Sequence, residues 1–189
     1  MEKGKIIILT APSGSGKTTL ANRLMGEFPI IRFSVSATTR KAREGEVHGE
    51  NYYFITKKEF HQKVENGEFI EYEEFYNGTM YGTLKTDVEN QLKKGYFVLL
   101  DIEVKGAINI KSQYGEDCLS VFVRPPSIKE LENRLSARGT ETRESLRLRL
   151  ERAEMELEFE SNFDAVVVND NLDQAYQNLK IIIEPYLNR

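Results

Sequence analysis

The sequence predicts an α/β fold, a parallel sheet flanked by helices and interrupted by a small β-rich insertion and a helical one. Three observations carry that prediction. Apolar runs rich in β-branched residues recur at 6–9, 96–102, 119–123 and 165–169, the pattern of strands buried on both faces. Helix-forming stretches alternate with them, and strand-helix alternation closes into a parallel sheet with helices on both sides. The stretches 34–85 and 126–160 break the alternation, one toward short strands and the other toward charged helices.

Each element has a local reason. Ile6-Ile7-Ile8-Leu9 leads into a Gly-rich turn, and "KTTLANRLMGEF" follows as a helix. A charged helical stretch over 86–94 ends at Gly95, and "YFVLLDI" (96–102) returns to the sheet. "LSVFV" (119–123) stops before Pro125-Pro126, and "AVVVN" (165–169) precedes an amphipathic helix over Leu172–Leu187. Inside 34–85, "NYYFI" and "EFIEYEEFY" read as strands, the second joined to "TMYGT" by the hairpin turn Asn77-Gly78. Inside 126–160, two charged helices break at "SARGTETRES", where Gly139 ends the first and Thr142, with Glu144 or Ser145, begins the second. There is no internal repeat. The predicted organisation is a core of 1–33, 86–125 and 161–189 carrying the insertions 34–85 and 126–160.

Composition narrows the function classes. With 40% hydrophobic and 30% charged residues and no low-complexity tract, the chain reads as one soluble globular unit. A net charge of −4 argues against general affinity for nucleic acid or anionic membranes, so an anion site has to be built locally. Cys118 stands alone among apolar neighbours and is expected to be a buried structural thiol in a reducing compartment. The N-terminus lacks a signal-peptide core and no later run approaches a membrane span, which places the protein in the cytoplasm. His48 and His61 have neither metal-ligand spacing nor a nucleophile beside them, so zinc and hydrolase chemistry fall away.

The stretch "APSGSGKT" (11–18) carries the chemistry. It is a phosphate-binding loop, G-x-x-x-x-G-K-[ST], with Ala11 where the first glycine usually stands. In such a loop Ala11, Pro12, Ser13, Gly14, Ser15 and Gly16 wrap the phosphates, with backbone N–H groups from all but Pro12 available to point inward, and the following helix presents its positive end. Lys17 reaches the terminal phosphates, Thr18 ligates Mg²⁺ and Thr19 completes the ATP-binding stretch. Gly14 and Gly16 permit the backbone angles and close approach required, whereas the first position begins the turn and tolerates a methyl group. The loop alone leaves a GTPase, an ATPase motor and a small-molecule kinase open.

The rest of the chain chooses among these. "SVSATTRKAREGEVHGENYYF" (34–54), "FIEYEEFYNGTMYGT" (69–83), "LLDIEVKGA" (99–107) and "RLSARGTETRESLRLRLERA" (134–153), in this order and with the loop, closely resemble the guanylate kinase family from end to end. The resemblance implies ATP-dependent phosphorylation of GMP on a core of the P-loop type, with 34–85 as the GMP-binding insertion and 126–160 as a lid. It implies ATP and GMP as the partners, Mg²⁺ as the cofactor, and no nucleic acid or membrane.

Residue by residue, Glu71 matches the base-reading glutamate, and Ser36 and Thr83 match hydroxyls that donate to guanine O6. Guanine offers two adjacent donors to one carboxylate where adenine offers an acceptor, a difference worth about 10⁴ in discrimination. Arg40, Arg43, Tyr52 and Tyr81 match the clamp on the GMP phosphate, for which a planar guanidinium fork is suited. Asp101 matches an aspartate near the GMP base and the metal. Arg134, Arg138 and Arg149 match the lid arginines, whose charge the transferring phosphoryl group needs. Arg143, Arg147 and Arg152 interleave with glutamates and read as ordinary helix-surface pairs. Asn169 matches a position near the ATP base, although a strand-end asparagine commonly makes a turn hydrogen bond. An interaction module of the same fold has no use for Gly14, Gly16, Lys17 and Thr18 together, and a regulatory GTPase would need an NKxD-type motif that is absent.

Overall fold

The computed structural model describes residues 3–75, 78–137 and 142–188. In chain order the elements are β1 (Ile6–Thr10), α1 (Lys17–Glu27), β2 (Ile31–Phe33), β3 (Ala37–Thr38), β4 (Tyr53–Phe54), α2 (Lys57–Glu65), β5 (Phe69–Glu74), β6 (Met80–Leu84), α3 (Lys85–Lys93), β7 (Phe97–Asp101), α4 (Val104–Tyr114), β8 (Cys118–Arg124), α5 (Ile128–Ala137), α6 (Arg143–Leu157), β9 (Ala165–Val168) and α7 (Leu172–Leu187). Strands β2, β7, β1, β8 and β9 form a five-stranded sheet in that order, with every pairing parallel.

Burial explains why β1 shows no polar alternation. Ile7 and Leu9 pack on one face with Leu20 and Leu24 of α1 and Leu179 and Ile183 of α7. Ile6 and Ile8 pack on the other with Val88 and Leu92 of α3 and Ala107 and Ile110 of α4. Each such fully buried side chain contributes about 1.5–3 kcal/mol, so the central strand is firmly anchored on both faces. The segment following it therefore starts from a fixed point. Cys118 is buried at the start of β8, and burial pushes its thiol up to about 12.

Two features differ from the sequence pattern. The three-residue β2 joins the sheet edge through Ile31 opposite Phe97, too short a run to carry a period. In the region predicted to be β-rich, α2 is also present. It is started by a capping box in which Thr56 accepts from the Glu59 N–H and Glu59 accepts from the Thr56 N–H. Its buried Phe60 stacks on Phe69 of β5 at 4.5 Å.

The second sheet runs β4-β3-β6-β5. Its β5–β6 pair is antiparallel and places Glu71 opposite Thr83, while Gly78 of the predicted turn has φ 71° and Asn77 lies outside the described residues. Helices α5 and α6 pack on each other through Leu131, Leu135 and Ala153. Thr142 caps α6 in a reciprocal pair with Ser145. Gly139 also lies outside the described residues. Among those residues no helix is long and apolar enough to cross a membrane.

Candidate active site

The loop between β1 and α1 takes its shape from two glycines. Gly14 has φ 95° and Gly16, the N-cap of α1, has φ 87°, both in the left-handed region that a side chain disfavours. A Cβ on Gly14 would also lie 2.9 Å from Leu135 of α5, and one on Gly16 would collide with the Asn169 amide. The Thr10 hydroxyl donates to the Ile102 carbonyl at 2.7 Å and ties the loop's base to the end of β7.

Among the described residues no non-glycine has a positive φ, so Ala11 occupies ordinary backbone and its methyl packs against the core. Ala11→Gly is therefore expected to change ATP affinity by less than tenfold. It should lower unfolding stability by about 0.4–1 kcal/mol through unfolded-chain entropy, measured by nucleotide titration and urea denaturation.

Asn169 is buried at the end of β9, and its amide donates to the Ser15 carbonyl at 2.7 Å. It braces the loop from behind, and it does not line the loop's cavity. Asn169→Ala leaves the Ser15 carbonyl without that donor and is expected to cost about 1–3 kcal/mol in urea denaturation.

The loop opens on a cavity of about 420 Å³, lined by residues 11–19 together with Phe75, Asp101, Glu103, Arg149, Arg152 and Glu156. Lys17 points across it and forms an ion pair with Asp101. Burial pushes the Lys17 ammonium down to about 8, opposed by the Coulombic pull of Glu103 and Glu156, so the group remains largely charged at neutral pH. From α6, Arg149 donates to the Ser13 hydroxyl at 3.0 Å and so reaches the loop from the opposite wall.

A second cleft of about 390 Å³ lies between the two sheets and is lined by Ser36, Arg40, Arg43, Tyr52, Glu71, Tyr81 and Asp101, with Glu73, Phe75 and Glu103 among the remaining walls. Burial raises the Glu71 pKa, Glu73 and Glu103 add to that, and the Thr83 hydroxyl opposes it by donating to the carboxylate at 2.7 Å. Thr83 is itself buried and absent from the cleft wall, so its hydroxyl serves Glu71. Arg40 makes two 2.8 Å bonds to Glu46 and lies 5.4 Å from the centre of the Tyr52 ring. Those bonds, with the Arg43 N–H, hold the Glu46 carboxyl down to about 2. The sequence gives Glu46 no role; an acidic residue three positions after Arg43 in a predicted loop carries no signal of its own.

The two spaces share Phe75, Asp101 and Glu103, and so adjoin. Two arginines stand differently from the sequence expectation. Arg134 bonds Glu130 at 3.0 Å and the Asn169 carbonyl at 2.9 Å, outside both linings. Arg152, grouped by the sequence with the surface pairs, is turned into the loop cavity. The three-residue spacing from Arg149 puts both on one face of α6, which was the available signal. Arg147 does form the expected exposed i,i+4 pair with Glu151, at 2.6 Å. Arg138 lies outside the described residues.

Comparison with known proteins agrees with this architecture. The family model described as guanylate kinase matches residues 3–186. A guanylate kinase of Salinibacter ruber is 49% identical over 188 residues, covering 100% of both chains, and one of Bacteroides thetaiotaomicron is 49% identical over 98% of this chain and 91% of its own. The crystal structure of guanylate kinase from Anaplasma phagocytophilum superposes with a TM-score of 0.80 at 32% identity, covering all of this chain and 89% of that one. A shikimate kinase from Bacteroides thetaiotaomicron, at 14% identity and a TM-score of 0.52 over 95% of this chain and 98% of its own, shares the fold. On the family match and these identities, carried by a chain whose phosphate-binding loop and second cleft adjoin, this protein belongs to the guanylate kinase family.

Proposed function

We propose that this chain transfers the γ-phosphate of ATP to GMP, and to dGMP as a second acceptor, giving ADP and the nucleoside diphosphate. The observation that carries the reading is a half-buried carboxylate, Glu71, oriented by Thr83 in a cleft that adjoins the loop cavity. A carboxylate there accepts from guanine N1–H and the exocyclic amine together, and against adenine it would face an acceptor and stay unpaired. Ser36 lines the same cleft and has a hydroxyl to offer O6.

The GMP phosphate is assigned to Arg40, Arg43, Tyr52 and Tyr81. Glu46 and the Lys41 carbonyl orient the Arg40 fork without filling it, since together they take three of its five N–H donors. ATP is assigned to the loop, where the N–H groups of 13–19 and the start of α1 favour negative charge. Lys17 exchanges Asp101 for the β- and γ-phosphates, while Arg149, and Arg134 and Arg138 by family correspondence, neutralise charge on the transferring group. No general base is needed, because the attacking GMP phosphate oxygen is already ionised at neutral pH.

Mg²⁺, when bound, would supply the positive charge that offsets the negative charge of the phosphates, with the Thr18 hydroxyl to hold it. The residues present fit it as an ion held mainly by substrate. The Thr18 hydroxyl is a hard oxygen donor on the loop cavity, and among the described residues no cluster of three or more His, Cys, Asp or Glu side chains is suited to a metal. We assign the protein to the cytoplasm, a setting that suits its unpaired, buried Cys118.

The test is ADP formation by the purified protein with ATP and Mg²⁺, offering GMP, dGMP, AMP, CMP and UMP in parallel with an acceptor-free control. Turnover that requires a guanine nucleotide and fails with AMP supports the reading. Equal turnover with AMP overturns the role of Glu71.

A further inference from the structure

The Arg152 guanidinium is the point at which three separate parts of the chain meet. It projects from α6 and is bonded to Glu156 of the same helix at 2.8 Å, to Glu103 beyond β7 at 2.8 Å and to Glu73 of β5 at 3.4 Å. It also stacks on Phe75, 4.7 Å from the ring centre, and Phe75 in turn meets Tyr81 edge-on at 5.3 Å. Glu73, Glu103 and Phe75 line the cleft, whereas Glu103, Phe75, Glu156 and Arg152 itself line the loop cavity.

From this arrangement we propose that Arg152 is a positioning residue that couples occupancy of the acceptor cleft to the grip on ATP. The inference rests on the function proposed above. A nucleotide in the cleft touches the groups that fix the guanidinium, and a nucleotide on the loop touches the guanidinium, so each ligand works against the same contacts. Coupling carried this way is reciprocal. Three carboxylates around one cation also mean that without Arg152 the incoming phosphates meet them with Lys17 left to offset Glu103 and Glu156. Arg149, one turn earlier on α6, bonds Ser13 of the loop, so the grip on the loop and the contact with the cleft lie on a single helix face.

The experiment measures the dissociation constant of AMP-PNP with Mg²⁺, in the absence and in the presence of saturating GMP, by calorimetry. In the wild type GMP is expected to tighten AMP-PNP by about fivefold or more. In Arg152→Ala the ratio should fall to within about twofold of unity, and Arg152→Lys should restore part of it. Glu73→Gln, which leaves Arg152 in place and avoids the risk that the alanine variant fails to fold, should lower the ratio as well. Adding it to Arg152→Ala should lower the ratio no further, since neighbours in one network are not additive. A folded Arg152→Ala protein that keeps the wild-type ratio overturns the proposal, as does a wild-type ratio of one or a loss of melting temperature with the ratio intact. ADP formation is followed separately. Its absence with GMP would overturn the function reading, while the binding ratio still reports on the coupling.

Discussion

Glu71→Gln is expected to lower kcat/KM for GMP by about 10³–10⁴ while leaving AMP-PNP affinity within about threefold. The size follows from what the amide presents to guanine. One of its atoms still accepts, but the other is an NH₂ facing a donor, so one of the two guanine hydrogen bonds is lost and a repulsive contact takes its place. The loss should not come from unfolding. Burial raises the Glu71 pKa, so the ionised form costs folding free energy above that pKa and the cost disappears as pH falls through it. A neutral amide removes that cost, and the variant should melt at or above the wild-type temperature. The same shift sets a pH dependence, because only the carboxylate accepts both guanine donors and protons therefore compete with GMP. KM for GMP should rise as the pH falls toward the raised pKa, KM for ATP should not follow it, and Glu71→Gln should be flat over that limb. Steady-state kinetics and differential scanning calorimetry measure these outcomes, and equal loss of ATP affinity would remove Glu71 from the role of base reader.

Much of this site was legible because loop chemistry is local. Glycines 14 and 16 sit at left-handed angles, and the apolar run before them and the helix after them stand where the motif requires. The core strands at 6–9, 96–102 and 119–123 were legible because burial on both faces leaves them mostly apolar, whereas the run at 165–168 proves to be an edge strand with Val166 and Val168 exposed. What escaped the sequence depends on partners far away in the chain. Thr83 is matched by the sequence to a hydroxyl for guanine O6, and only the β5–β6 register shows its bond to Glu71. Asn169 is matched by the sequence to a position near the ATP base, with a turn residue as the alternative, and only β9 brings it behind Ser15, 154 positions away. Arg152 has glutamates on its own helix, which favours a surface reading, and only the tertiary fold adds Glu103 and Glu73 to its surroundings. The β2 strand and α2 were missed for a different reason. One is too short for a period, and the other buries a single residue, Phe60, so little apolar pattern marks it.

Lys17→Met should separate binding from chemistry. The expected result is a fall in kcat of about 10²–10³, or about 3–4 kcal/mol of barrier, with KM for ATP changed by less than tenfold. Methionine keeps the unbranched, half-buried stem and removes the charge, and the loop's backbone N–H groups and the start of α1 remain to hold the nucleotide. Those donors grip ground-state phosphates, whereas the ammonium gains most as charge moves toward the bridging oxygen of the departing ADP. The ammonium is held by Asp101, which keeps it oriented inside the cavity, and that contact is expected to give way to phosphate on binding. Lys17→Arg should not rescue the rate, because a planar fork presents its charge over a wider span in a space shaped for one point charge. Single-turnover quench-flow at saturating ATP and GMP reads the chemical step directly. If kcat is preserved and only KM for ATP rises, Lys17 acts equally in the ground and transition states, and the stabilisation of the transferring phosphoryl group must then come from the arginines of α5 and α6 instead.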